Sequence, residues 1–129
     1  MKTKLIIVLI ITLTGFSQKT NAQNWKEWHT ENGVSLYYAY MPSQYGNYPY
    51  YLIKIVNRNR RGITFYAKFD FVNSVGQVVT NYDPWHVTIK SGGSFICKKH
   101  YAVTNDLKRK AGNAPRLHYS NLRITIDRY

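Results

Sequence analysis

Ten residues, Ile63–Val72 (Ile-Thr-Phe-Tyr-Ala-Lys-Phe-Asp-Phe-Val), constrain this chain more than any other stretch. Taken with period two, Ile63, Phe65, Ala67, Phe69 and Phe71 point one way, and Thr64, Tyr66, Lys68, Asp70 and Val72 the other. Successive strand side chains face opposite sides of a sheet, so one apolar face is backed by a mostly polar one. At helical spacing the aromatics scatter around the cylinder, and Lys68 and Asp70 interrupt any stripe. The segment is a long, central, half-buried strand, and it settles the class of the protein.

The flanking chain repeats the pattern in shorter pieces. Val34–Tyr40 alternates with Val34, Leu36, Tyr38 and Tyr40 on one side, and Tyr51–Asn57 follows a loop punctuated by Pro42, Gly46 and Pro49. Gln77–Thr80, Trp85–Lys90, Phe95–Val103 and Asn121–Arg128 are the remaining predicted strands. Ser91-Gly92-Gly93-Ser94 suits a tight turn that needs positive φ. Thr104–His118 is polar, basic and broken by Gly112 and Pro115, so it is expected to be a long connection with at most one helical turn at Asp106–Ala111. About seven short strands with regularly spaced turn signals predict an all-β, antiparallel two-sheet sandwich, with a small β-barrel as the alternative. The predicted inward set is Leu36, Ile53, Ile55, Phe65, Phe69, Phe71, Val87, Ile89, Leu122, Ile124 and Ile126. Asp70 and Asp127 fall on outward, solvated positions.

One ordering of elements carries a resemblance. A strand ending in Asn (Leu52–Asn57), a basic turn, a long aromatic strand and a late Lys90-Ser91-Gly92-Gly93-Ser94 turn together resemble small exported bacterial domains of immunoglobulin-like or fibronectin-type-III-like form. In such domains the second and third strands form a hairpin, and a Gly-containing turn precedes the sixth. The resemblance covers about Val34–Arg128 and lacks the paired cysteines of antibody-type domains. It implies an adhesive, structural or accessory role, on a fold that hosts many unrelated functions.

Compartment follows from the first residues. Met-Lys-Thr-Lys precedes an apolar run over Leu5–Leu13, and small residues stand at Thr20 and Ala22. That is the pattern of a secretory signal peptide over residues 1–22, with an uncleaved anchor as the alternative. The run is well short of the roughly 20 residues that span a bilayer. A lead-in segment, 23–33, and a single domain, 34–129, complete the expected organisation. The formal net charge is +12. Removing the leader takes away Lys2, Lys4 and Lys19 but no acid, leaving +9 on 107 residues.

Such a balance favours an anionic surface as partner (lipopolysaccharide, acidic glycan, extracellular nucleic acid or phospholipid head groups) or an envelope protein, or else marks a merely solvated surface. Export argues against a dedicated nucleic-acid role. Cys97 is the only cysteine, so no intramolecular disulfide is available. It is expected to be a buried thiol, or else an intermolecular bridge that would make an oligomer; exposed edge strands offer a second route to one.

Chemistry-bearing motifs are scarce. His29, His86, His100 and His118 are far apart and show no tight ligand spacing. The acids Glu27, Glu31, Asp70, Asp83, Asp106 and Asp127 form no paired-carboxylate pattern, and no nucleophile elbow, Walker loop or dinucleotide fingerprint occurs. A non-enzymatic protein without cofactor or metal is expected.

What stands out is tyrosine, with seven between Tyr37 and Tyr51. Its flat apolar face and phenol suit stacking on sugar rings or filling a protein interface. Tyr37, Tyr38, Tyr40 and Tyr51 are expected to cover sheet faces. Tyr45, Tyr48 and Tyr50, together with the cations Arg58, Arg60 and Arg61 and Lys108, Arg109, Lys110 and Arg116, form the candidate binding surface. Brought together, the two basic groups would grip phosphate, sulfate or uronic acid. The function expected is an exported binding or accessory module for an anionic or glycan surface. A self-assembling subunit pairing through edge strands and a Tyr-rich face is the alternative, and a small hydrolase or inhibitor without a motif is the third.

Overall fold

The computed structural model describes residues 24–43 and 47–128. The leader over 1–22 and the loop residue Tyr45 lie outside the described residues. Among the described residues, eight strands and one helix follow in the order β1 (Lys26–Glu31), β2 (Val34–Met41), β3 (Tyr50–Asn57), β4 (Ile63–Val72), β5 (Trp85–Ile89), β6 (Ser94–Ile96), β7 (Tyr101–Ala102), α1 (Asn105–Ala111) and β8 (Arg116–Ile126). They form an all-β sandwich of two antiparallel sheets. The first runs β1-β2-β3-β6, with β7 also pairing to β3; the second runs β5-β4-β8.

The central strand keeps its predicted alternation, and Ile63, Phe65, Ala67, Phe69 and Phe71 have no exposed surface. They pack against Val34, Leu36, Ile53 and Ile55 from the other sheet. Cross-sheet aromatic contacts fill the interior, among them Phe69 with Tyr101 and Phe71 with Tyr51. Burying large aromatic and aliphatic side chains in this way contributes about 1.5–3 kcal/mol each. Trp85 Nε1 donates to the Tyr101 hydroxyl at 2.7 Å, so the buried phenol has a partner.

Several elements differ from the sequence expectation, each for a local reason. The lead-in segment contains a strand, β1, whose alternation is split by a bulge between Glu27 and His29. Gln77–Thr80 makes only an isolated bridge, Val72 to Val78. Phe95–Val103 is two strands, β6 and β7, interrupted by residues 97–100. The expected long connection holds α1, where Thr104 caps the helix by accepting from the Leu107 amide at 3.1 Å, and Leu107 and Ala111 are buried. Seven residues are too few for a helical period to show.

The last strand starts at Arg116 instead of Asn121, because a bulge near Asn121 (φ 54°) switches the inward set from Leu117 and Tyr119 to Leu122 and Ile124. Ile126, expected inside, is 42% exposed.

Two corrections matter more. Asp70, expected outward and solvated, is 3% exposed. Its carboxylate accepts from Lys68 Nζ, from Thr80 Oγ1 at 2.8 Å and from the Tyr82 amide at 2.9 Å, which folds residues 73–84 over the end of β4. Second, the basic turn does not close a hairpin: β3 and β4 lie in different sheets, and the chain crosses between them at Arg58–Gly62. Among the described residues, no helix is long and apolar enough to cross a membrane.

Candidate binding cleft

The inward face of the first sheet changes character along its length. In β2 it runs Val34, Leu36, Tyr38, Tyr40, and in β3 it runs Ile55, Ile53, Tyr51 toward the same end. Aliphatic side chains close the core at one end; tyrosines with polar tips stand at the other, where Tyr40 is 51% exposed. Between these tyrosines and β8 lies a cleft of about 520 Å³, lined by Trp28, Tyr38 and Tyr51 on one wall, by Val72 and Gly76, and by Arg116, Leu117 and His118 on the other. A second concavity of about 400 Å³ shares Tyr51 and Arg116 and continues past Tyr40 and Pro49 to Lys108 and Asn113. Volumes of this size accommodate small ligands or a few sugar units.

The aromatic wall is a connected set. Trp28 meets Tyr38 edge-on at 5.7 Å between ring centroids and Tyr119 at 5.1 Å, and Tyr51 lies 5.2 Å from Tyr40 and 6.2 Å from Tyr38. Such edge-to-face pairs hold one another in place. Partial burial, followed by the nearby Tyr40 and Tyr38 phenols, raises the Tyr51 phenol above its ordinary value, so it stays a neutral hydrogen-bonding group.

Charge on the opposite wall is one-sided. Arg109 and Lys110 on α1 pair with Asp106 at 3.1 and 3.4 Å, and these two bonds hold the Asp106 carboxyl below its ordinary range. Among the described residues, Arg116 and Lys108 have no ion-pair partner.

The candidates drawn from sequence are thus scattered. Of the arginine and lysine groups, Arg116 lines the cleft and Lys108 the adjoining concavity that shares Arg116 with it. The two basic clusters are not brought together: α1 follows β7, which pairs with the first residues of β3, whereas Arg58, Arg60 and Arg61 follow its last. That separation is roughly 23 Å along the strand. Tyr48 is 47% exposed in the β2–β3 loop. Tyr50 faces away from the cleft and stacks on His100 at 4.2 Å.

Sequence reasoning passed over Trp28, Tyr38, Tyr40, Tyr51, Leu117 and His118 as site residues. Its available signal was the change from Val34 and Leu36 to Tyr38 and Tyr40 on one inward face, a polar-tipped aromatic where a core position calls for an aliphatic.

Cys97 is fully buried, and burial pushes its thiol up to about 12 from an ordinary value near 9. The protonated thiol is a poor nucleophile, and a bridge to another chain requires the fold to open. Compared with known proteins, the chain matches no family model, no curated protein and no solved structure.

Proposed function

We propose that this protein is an exported, non-enzymatic binding module that holds an acidic glycan in the aromatic cleft between its two sheets. One observation carries the proposal: the Tyr38–Tyr40–Tyr51 wall faces Arg116, a cation without an ion-pair partner among the described residues. Pyranose rings present C–H faces that stack on aromatic side chains, and their hydroxyls match phenol tips that both donate and accept. A uronate carboxylate or a sulfate ester meets the planar fork of Arg116 in two parallel hydrogen bonds. Lys108 supplies a second positive charge along the same groove, as a chain of acidic residues requires. The leader pattern supports an encounter at the cell envelope or outside the cell.

The test is calorimetric titration of the protein, purified after export, with oligouronides and with neutral oligosaccharides of equal length. Oligouronides are expected to bind, and Arg116→Ala to weaken them about tenfold or more, as loss of a charged hydrogen bond implies. Tyr51→Ala is expected to weaken both charged and neutral chains. Arg60→Ala/Arg61→Ala, at the far end, leaves the affinity unchanged at moderate salt. Equal losses from Arg116→Ala and from the far-end pair would sink the cleft as the binding site.

A further inference from the structure

The end of the sandwich opposite the cleft carries a second surface. Arg58, Arg60, Arg61, Lys90 and Arg128 are all exposed there, on the β3–β4 turn, the β5–β6 turn and the end of β8. Among the described residues, the acidic side chains at this end are Glu31 and Asp127, and Glu31 already contacts His29 at 3.2 Å. Counting the described side chains, five cations against two acids leave a net +3.

These charges stand on a backbone that has little freedom. Asn57, fully buried, directs its side-chain amide at the carbonyls of Arg61, Ile89 and Lys90 at 2.9–3.1 Å, and its oxygen accepts from the Asn59 amide at 2.9 Å. Asn59 in turn donates to the Asn32 carbonyl at 2.9 Å, and Ser91 Oγ donates to the Asn59 carbonyl at 2.8 Å. Three separate turns are thereby bound into one unit. Arg58 is oriented as well, donating to the Tyr37 hydroxyl at 2.6 Å and to Ser35 Oγ at 3.3 Å. Among the described residues, neither Arg60 nor Arg61 has a side-chain hydrogen-bond or ion-pair partner.

We propose that this tip docks the protein on a membrane bearing anionic lipid headgroups, the arginines meeting headgroup phosphates. Guanidinium groups take phosphate oxygens in paired hydrogen bonds. Cations spread over several short turns match a planar array of phosphates, whereas a single soluble chain is matched by a groove. Because the turns are already tied together, little backbone ordering entropy is lost on contact. The cleft, roughly 23 Å away along β3, then faces outward from the membrane. This inference does not depend on what the cleft binds.

The experiment is co-sedimentation of the protein, purified after export, with vesicles of phosphatidylcholine alone or with one third phosphatidylglycerol. Binding is expected only to the anionic vesicles and to weaken with salt. Arg60→Ala/Arg61→Ala is expected to reduce partitioning about 25-fold, at about fivefold for each basic residue near the surface. The charge-matched control Arg109→Ala/Lys110→Ala, on the helix at the other end, is expected to change it less than twofold. Equal losses from the two double variants would overturn the proposal, showing that net charge alone drives adsorption. Equal binding to neutral vesicles, or release by millimolar inorganic phosphate at constant ionic strength, would also overturn it.

Discussion

At the arginine end, connections of two to five residues link β1 to β2, β3 to β4 and β5 to β6; the buried Asn57 amide joins the last two, and Asn59 ties in the first through the Asn32 carbonyl. At the cleft end, the chain leaves the sheets by longer routes: the β2–β3 loop, residues 73–84, and residues 103–115, which contain α1. Short turns satisfy their polar groups internally and leave their charged side chains only outward directions. At the cleft margin Tyr38, Tyr40 and Tyr51 line a concavity instead of closing a core. A convex charged surface and a concave aromatic one therefore come from the same two sheets.

The contrast can be broken most directly at Asn57. Asn57→Leu removes the one side-chain donor shared by the carbonyls of Arg61, Ile89 and Lys90, and a loss of about 3 kcal/mol in denaturant unfolding is expected. At the other end, Asp70→Ala removes the acceptor for Lys68, Thr80 and the Tyr82 amide. About 2 kcal/mol is expected there, with faster amide exchange confined to residues 73–84. If Asp70→Ala were the more damaging of the two, or its exchange effect spread to the arginine turns, the ends would not be separately held.

The smallest expected effect is alkaline. A group whose folded pKa is raised stabilises the protein below its unfolded value and loses that contribution as pH rises toward the folded one. Cys97, moved by burial from near 9 to about 12, is expected to lose about 1 kcal/mol of its contribution by pH 10. Tyr51, Tyr82 and Tyr101, all raised by burial, add to the decline at higher pH. Thermal unfolding followed from pH 8 to 11 checks this: Cys97→Ala should flatten the first part of the fall. An unchanged slope would place the alkaline sensitivity elsewhere.

By itself the sequence determined the β class and the identity of the central strand, because alternation along Ile63–Val72 is a local property that no partner has to supply. It also marked the basic turn and the excess of tyrosine. What only the tertiary structure decided involves residues distant in the chain. Asp70 shares its face with Lys68, yet it is buried because residues 73–84 fold back over it, and strand periodicity carries no information about that cover. The bulge near Asn121 shifts the inward set of β8 by one residue and hides the start of the strand from any fixed period. Arg116 looked like one more cation in a polar connection. It became the charged member of a cleft only when β8 was placed beside β4 and across from Trp28 and Tyr51, a juxtaposition set by sheet packing.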